Sequence, residues 1–139
     1  MEVKMNPIFP SSGWLQLLEK KLNEDEKYGS IAAKWEGDMI VVIEPGGNLN
    51  TTIIYYLDLW HGKCRRVAIL NDVKEENAAF VLSASYENIA QIVRGKLDPM
   101  QAMLTRKLKV KGNMAVMMRN VPTVLDFVRC LREVTSEIL

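Results

Sequence analysis

The sequence predicts an α+β fold: a five-stranded, mostly antiparallel sheet covered on one face by about five helices. Three observations lead there. Runs with strand character cluster between residues 39 and 84. Runs with helical apolar spacing cluster after residue 85, with one more ahead of the strands. A single short strand-like run, 108–111, interrupts the later helices. Strands grouped apart from helices mark an α+β layer rather than alternating βαβ units. At 139 residues, 48% hydrophobic and 25% charged, the chain is long enough for one domain with a real core. That domain is expected over residues 11–139, behind an extended arm at 1–10 that contains Pro7 and Pro10.

Each element follows from local chemistry. Ser11 or Ser12 can cap a helix running to about Lys27, with Trp14, Leu15, Leu18 and Leu22 on its buried face. Met39–Glu44 is a β-branched run stopped by the turn cluster Pro45-Gly46-Gly47-Asn48. That cluster lacks the Gly-Lys-Ser/Thr ending of a phosphate loop and precedes a strand, so it reads as a turn. From Thr51 to Trp60 side chains alternate: Ile53, Tyr55, Leu57 and Leu59 face one way, Ile54, Tyr56, Asp58 and Trp60 the other. His61-Gly62-Lys63 turns the chain into a strand at 65–70, and a polar loop leads to another at 78–84. Short turns between successive strands predict an antiparallel meander.

Ser85 can cap the next helix, with Tyr86, Ile89, Ala90 and Val93 on its apolar face and Gly95 as its stop. Asp98 followed by Pro99 reads as a cap and first helical residue, opening a short helix with Met100, Met103 and Leu104 at i, i+3, i+4. Leu108–Lys111 alternates apolar with Lys and reads as the fifth strand. Asn113 can cap a helix bearing Met114, Met117 and Met118, and a last helix from about Pro122 to Glu137 carries Val124, Leu125, Val128 and Leu131, flanked by Phe127.

Composition excludes several functions. Two cysteines, Cys64 and Cys130, make no disulfide framework. His61-x-x-Cys64 supplies half a metal site at most, and the chain has one histidine, so no metal is expected. No paired carboxylates or nucleophile–base constellation stand out, so no enzyme and no cofactor are expected. No stretch has the length of a membrane span and the N-terminus lacks an apolar signal region, so a cytoplasmic protein is expected. Net charge is +1, but it is unevenly placed: residues 94–119 hold 7 basic and 1 acidic residue, residues 1–93 hold 9 and 13. Neither a nucleic-acid motif nor an aromatic platform accompanies those cations, so no nucleic-acid partner is expected.

The same segment carries five of the eight methionines. Methionine re-packs around irregular apolar shapes, and Lys or Arg meet anionic head groups. Lys107, Lys109 and Lys111 fit either role open to them: the solvated face of an edge strand, where lysine discourages pairing, or contact with an anionic head group.

Gly95-Lys96-Leu97-Asp98-Pro99, then Ala102, then Lys107-Leu108-Lys109-Val110-Lys111-Gly112, then Asn113-Met114, stand in the order found in the sterol-carrier-protein family. The chain resembles that family most densely over Tyr86–Met118. One position departs from it: the family commonly has Gly before the Lys-Leu-Lys strand, where this chain has Arg106. The resemblance implies a helical layer over the sheet enclosing an apolar tunnel, and non-catalytic binding and transfer of a fatty acid, fatty acyl-CoA, phospholipid or isoprenoid. An accessory or scaffold module presenting a lipid or quinone precursor to partner enzymes is the other role it implies. The residues this reading assigns to lipid are Met100, Met103, Leu104, Met114, Met117, Met118, Phe127 and Leu131, with Arg106, Lys107, Lys109 and Lys111 assigned to the head group. Expected partners are the ligand, transiently a membrane surface, and lipid-metabolism enzymes.

Overall fold

The computed structural model describes residues 7–139. A short strand β1 (Ile8–Phe9) leads into α1 (Ser12–Glu24), whose N-terminus is capped by the Ser11 hydroxyl accepting from the Trp14 N–H at 3.1 Å. The first helix is shorter than its pattern suggested. Asp25 leaves helical geometry and accepts from the Tyr28 N–H, so it ends α1 and caps a separate helix, α2 (Glu26–Ile31). Then come β2 (Met39–Glu44), β3 (Ile53–Trp60), β4 (Lys63–Leu70) and, after a 3-10 turn at Val73–Glu75, β5 (Phe80–Ser85). The second half holds α3 (Tyr86–Val93), α4 (Pro99–Leu104), β6 (Lys109–Lys111), α5 (Met114–Arg119), α6 (Val121–Glu133) and β7 (Glu137–Ile138).

The main sheet has five strands in the order β4-β3-β2-β5-β6. Three of its pairings are antiparallel, and β2 with β5 is parallel. The expected meander is therefore corrected. β5 does not continue from β4 but crosses the sheet and joins β2, with Ile40 opposite Val81 and Val42 opposite Ser83. Burial explains the choice. Beside β2, the alternation of Phe80, Leu82 and Ala84 falls on the helix side, where all three are buried. At the β3–β4 pairing the register slips between Leu57 and Leu59, so Arg65 and Arg66 together stand opposite Asp58. Such a bulge sharpens the local twist.

The arm expected at 1–10 lies mostly outside the described residues. Its described end pairs: β1 runs parallel to β7, and the Leu139 N–H donates to the Phe9 carbonyl. The first and last of the described strands thus meet in a second, two-stranded sheet.

All the helices pack on one side of the main sheet, around a single apolar cluster that takes residues from α1 through α6 and from the inward positions of β2, β3 and β5. The opposite side is open. It carries a smaller cluster centred on Ile40, Ile54 and Tyr56, with the Arg66 guanidinium 4.6 Å above the Tyr56 ring. Among the described residues no helix is long and apolar enough to cross a membrane.

An apolar cavity between sheet and helices

Under α6 the core is not filled. A cavity of about 100 Å³ lies between the helices and the sheet. The sheet supplies Met39 and Val41 from β2, Leu59 from β3 and Leu82 from β5. α3 adds Ile89, Ile92 and Val93, and α4 adds Pro99 and Met103. Met117 comes from α5; Val124, Phe127, Val128 and Leu131 come from α6. The one polar wall residue of this second half, Thr123, has its hydroxyl engaged with the Ile31 carbonyl at 3.3 Å. Among the described residues no buried side-chain nitrogen or oxygen lacks a partner. A void of this size and lining stays dry, because water needs polar partners it does not offer.

Local sequence sets this wall. The Asp98 carboxylate accepts from the N–H groups of Met100 and Gln101 at 2.8 and 3.0 Å, which fixes the start of α4 and turns Met103 inward. The Asn113 side chain accepts from Ala115 and Val116 at 3.0 and 3.2 Å, which starts α5 and turns Met117 inward. Of the eight residues assigned to lipid from sequence, the fold brings four onto the cavity: Met103, Met117, Phe127 and Leu131. Met100 is half-buried and does not line the cavity, while Leu104, Met114 and Met118 are exposed on the same helices.

None of the four head-group candidates lines the cavity. Arg106, Lys107, Lys109 and Lys111 are all exposed. In β6, Val110 pairs with Leu82 and packs on the core, so Lys109 and Lys111 alternate onto the open side of the sheet. Arg106 adopts φ +62°, the left-handed conformation that glycine takes without strain. The backbone turn before β6 is thus kept although the side chain is not glycine.

Sequence reasoning placed Ile89 and Val93 on the apolar face of α3 and Leu59 on one face of β3, assigned no face to Met39, Val41 or Ile92, and gave none of these wall residues a ligand role. Alternation and helical spacing mark a side chain as inward, but cannot distinguish one that meets a neighbour from one that meets a void.

On its far side α6 is tied to the N-terminal helices by ions. The Arg129 guanidinium donates to Asp25 at 2.6 Å, Asp126 at 2.8 Å and Glu133 at 2.9 Å. Lys21 joins Asp25 to Glu133 at 3.0 and 2.8 Å. Arg129, then the Tyr28 N–H and Lys21, hold the Asp25 carboxyl well below its usual range. Asp25, Asp126 and Cys130 bring candidate metal-ligand atoms within 4.8 Å of one another. Arg129 already fills the role of the cation there, and burial pushes the Cys130 thiol up to about 11.

Residues 15–124 match the SCP-2 sterol transfer family. The chain belongs to that family. Sterol carrier protein 2, known from a crystal structure, superposes with a TM-score of 0.80 at 29% identity, over 88% of this chain and 96% of that one. A conserved hypothetical protein of Thermus thermophilus superposes with a TM-score of 0.82 at 29% identity, over 96% and 94%. The Aedes aegypti sterol carrier protein 2, solved in complex with palmitate, shares the fold with a TM-score of 0.52 at 20% identity, over 84% and 92%. No curated protein sequence matches the chain. The family match supports lipid binding or transfer in general, and the cavity of this member is lined by apolar side chains.

Proposed function

We propose that this SCP-2 family member binds an amphipathic lipid, with its acyl or isoprenoid chain in the apolar cavity, and moves it through the cytoplasm without catalysis. The observation that supports this reading is the cavity itself: walled by apolar side chains and lined by Met103 and Met117 among others. Each methylene kept from water stabilises the complex by about 0.8 kcal/mol, so a long chain gains on the order of 10 kcal/mol before ordering costs. Ligand pockets usually enclose a few hundred Å³ or more, whereas this cavity holds about 100 Å³. A long chain therefore requires its walls to move apart into a tunnel.

The C-terminal helix is poorly suited to move. Its back is bolted by Arg129, and its end is held by Arg132 donating to the Ile92 carbonyl at 3.0 Å and by Trp14 donating to Thr135 at 2.9 Å. The helices α4 and α5, six residues each and unbranched at Met103 and Met117, are the movable walls. The test is native mass spectrometry of the purified protein, followed by delipidation and titration with a fatty acid. A co-purified amphiphile, or saturable one-to-one uptake, is expected. Protein that emerges lipid-free and takes up no fatty acid, acyl-CoA, phospholipid or isoprenoid overturns the reading.

A further inference from the structure

The side of the main sheet that no helix covers is divided in charge, and strand register fixes how. Register puts Lys111 in line with Val81 and Ile40, and Lys109 in line with Ser83 and Val42. Both lysines are exposed on this side, and among the described residues neither is in an ion pair. The opposite corner is acidic. Asp38, just ahead of β2, accepts from the Tyr56 hydroxyl at 2.7 Å and from the Ala79 N–H at 2.8 Å. With Glu36, Asp58 and Trp60 it walls a shallow hollow of about 460 Å³, wide enough to admit lysine side chains. Among the described residues lining it, Arg65 alone is cationic, so three carboxylates face one guanidinium. Between basic edge and acidic hollow lies an apolar patch, with Val42 and Val81 half-buried around Ile40.

We propose that this face pairs with the same face of a second copy of the chain, Lys109 and Lys111 of each copy entering the acidic hollow of the other. Such an interface is isologous, one patch serving both partners. The charges balance: two lysines meet a hollow whose carboxylates exceed its guanidinium by two. A second copy satisfies both halves of the face at once, whereas a wholly acidic or wholly basic partner satisfies one. The geometry is a regular one. The hollow lies about 10 Å from the lysines across the strands, two strand spacings, and about 10 Å along them, three residues. The two-fold axis that exchanges edge and hollow therefore runs obliquely to the strands. The strands of the two copies then cross at about 90°, one of the two usual ways for sheets to pack face to face. The face is about 20 Å square. It offers roughly 400 Å² per copy, half of what a standard interface buries on each side. Association is accordingly weak and belongs to high protein concentration.

Sedimentation equilibrium of the full chain, from about 10 μM to about 1 mM, tests it. A monomer–dimer equilibrium with Kd on the order of 100 μM is expected, weakened in about 0.5 M salt. Lys109→Glu with Lys111→Glu, and separately Glu36→Lys with Asp58→Lys, should each raise Kd roughly tenfold or more. Asp38 is left intact because it fastens Tyr56 and Ala79. An equimolar mixture of the two reversed proteins should recover the parent's association, because each reversed half then meets the other's reversed half. Misfolding in either variant cannot produce that recovery. The exposed control pair, Lys20→Glu with Lys96→Glu, should leave Kd unchanged.

A monomer at every concentration overturns the proposal. So does a dimer indifferent to both reversals, a mixture that stays monomeric, or an equal loss in the control pair.

Discussion

The Arg129 guanidinium holds two carboxylates that folding has withdrawn from water, Asp25 and Asp126, the latter 5% exposed. Removing one partner of a buried pair costs far more than the pair itself contributes, because the survivor stays charged and unsolvated. Arg129→Met is expected to lower unfolding stability by about 3 kcal/mol, read from urea midpoints. The pH dependence has a sign. The folded-state carboxyl of Asp25 titrates below its unfolded value of 3.8, so its contribution is complete above that value and fades as pH falls through the folded one. In Arg129→Met the Asp25 carboxylate lacks that cation and gains by protonating, so the gap from the parent should narrow on acidification. A gap that stays the same in acid would show that Arg129 acts through packing alone. Arg106 is a second case at this scale. Left-handed backbone costs a branched or long side chain about 1 kcal/mol, so Arg106→Gly should stabilise the protein by roughly 0.5 kcal/mol in the same titrations.

At the scale of elements, the stretch 95–119 shows how little sequence is needed to build two cavity walls. A capped helix, a three-residue edge strand and another capped helix follow one another with almost no linker. Gly112 makes the corner between β6 and α5. It sits at φ +136°, with the Ala79 carbonyl and the Phe80 ring where a Cβ would stand. Both obstacles belong to β5 and its approach, to which β6 pairs, so neither can step aside alone. Gly112→Ala should therefore cost about 2 kcal/mol and loosen α5. Faster hydrogen exchange at Ala115–Arg119 than across α3 would mark the loosening as local; uniform exchange across the fold would contradict it.

For the whole molecule, the asymmetry of the sheet organises function. Among the described residues, α1 to α6 pile onto one side, where their bulk leaves the apolar cavity unfilled. A ligand that binds only the folded state raises stability by about 2.7 kcal/mol at a hundredfold excess over Kd. Palmitate titration should raise the melting temperature accordingly. Val124→Trp, which puts an indole into the cavity, should abolish that rise while keeping or raising the basal melting temperature. A variant that still responds fully to palmitate would place the binding site elsewhere.

Much of this was legible in the residues. Ser85, Asp98 and Asn113 announced three helix starts and Ser11 or Ser12 a fourth; Ser11, Ser85, Asp98 and Asn113 each accept the N–H groups their position demands. Those are local matters of a few bonds. The alternation of β3 and the family motif over Tyr86–Met118 were equally local and equally readable. Asp25 as a break was a local cap hidden inside a continuous helical pattern. The crossing of β5 to β2 and the pairing of β1 with β7 were not readable, because each depends on a partner distant in sequence. The same holds for the methionines. Sequence by itself determined that Met103 and Leu104, or Met117 and Met118, are apolar neighbours on short helices. Only the tertiary structure decided which of each pair meets the cavity and which meets solvent, since that depends on how α4 and α5 are rotated against α6 and the sheet.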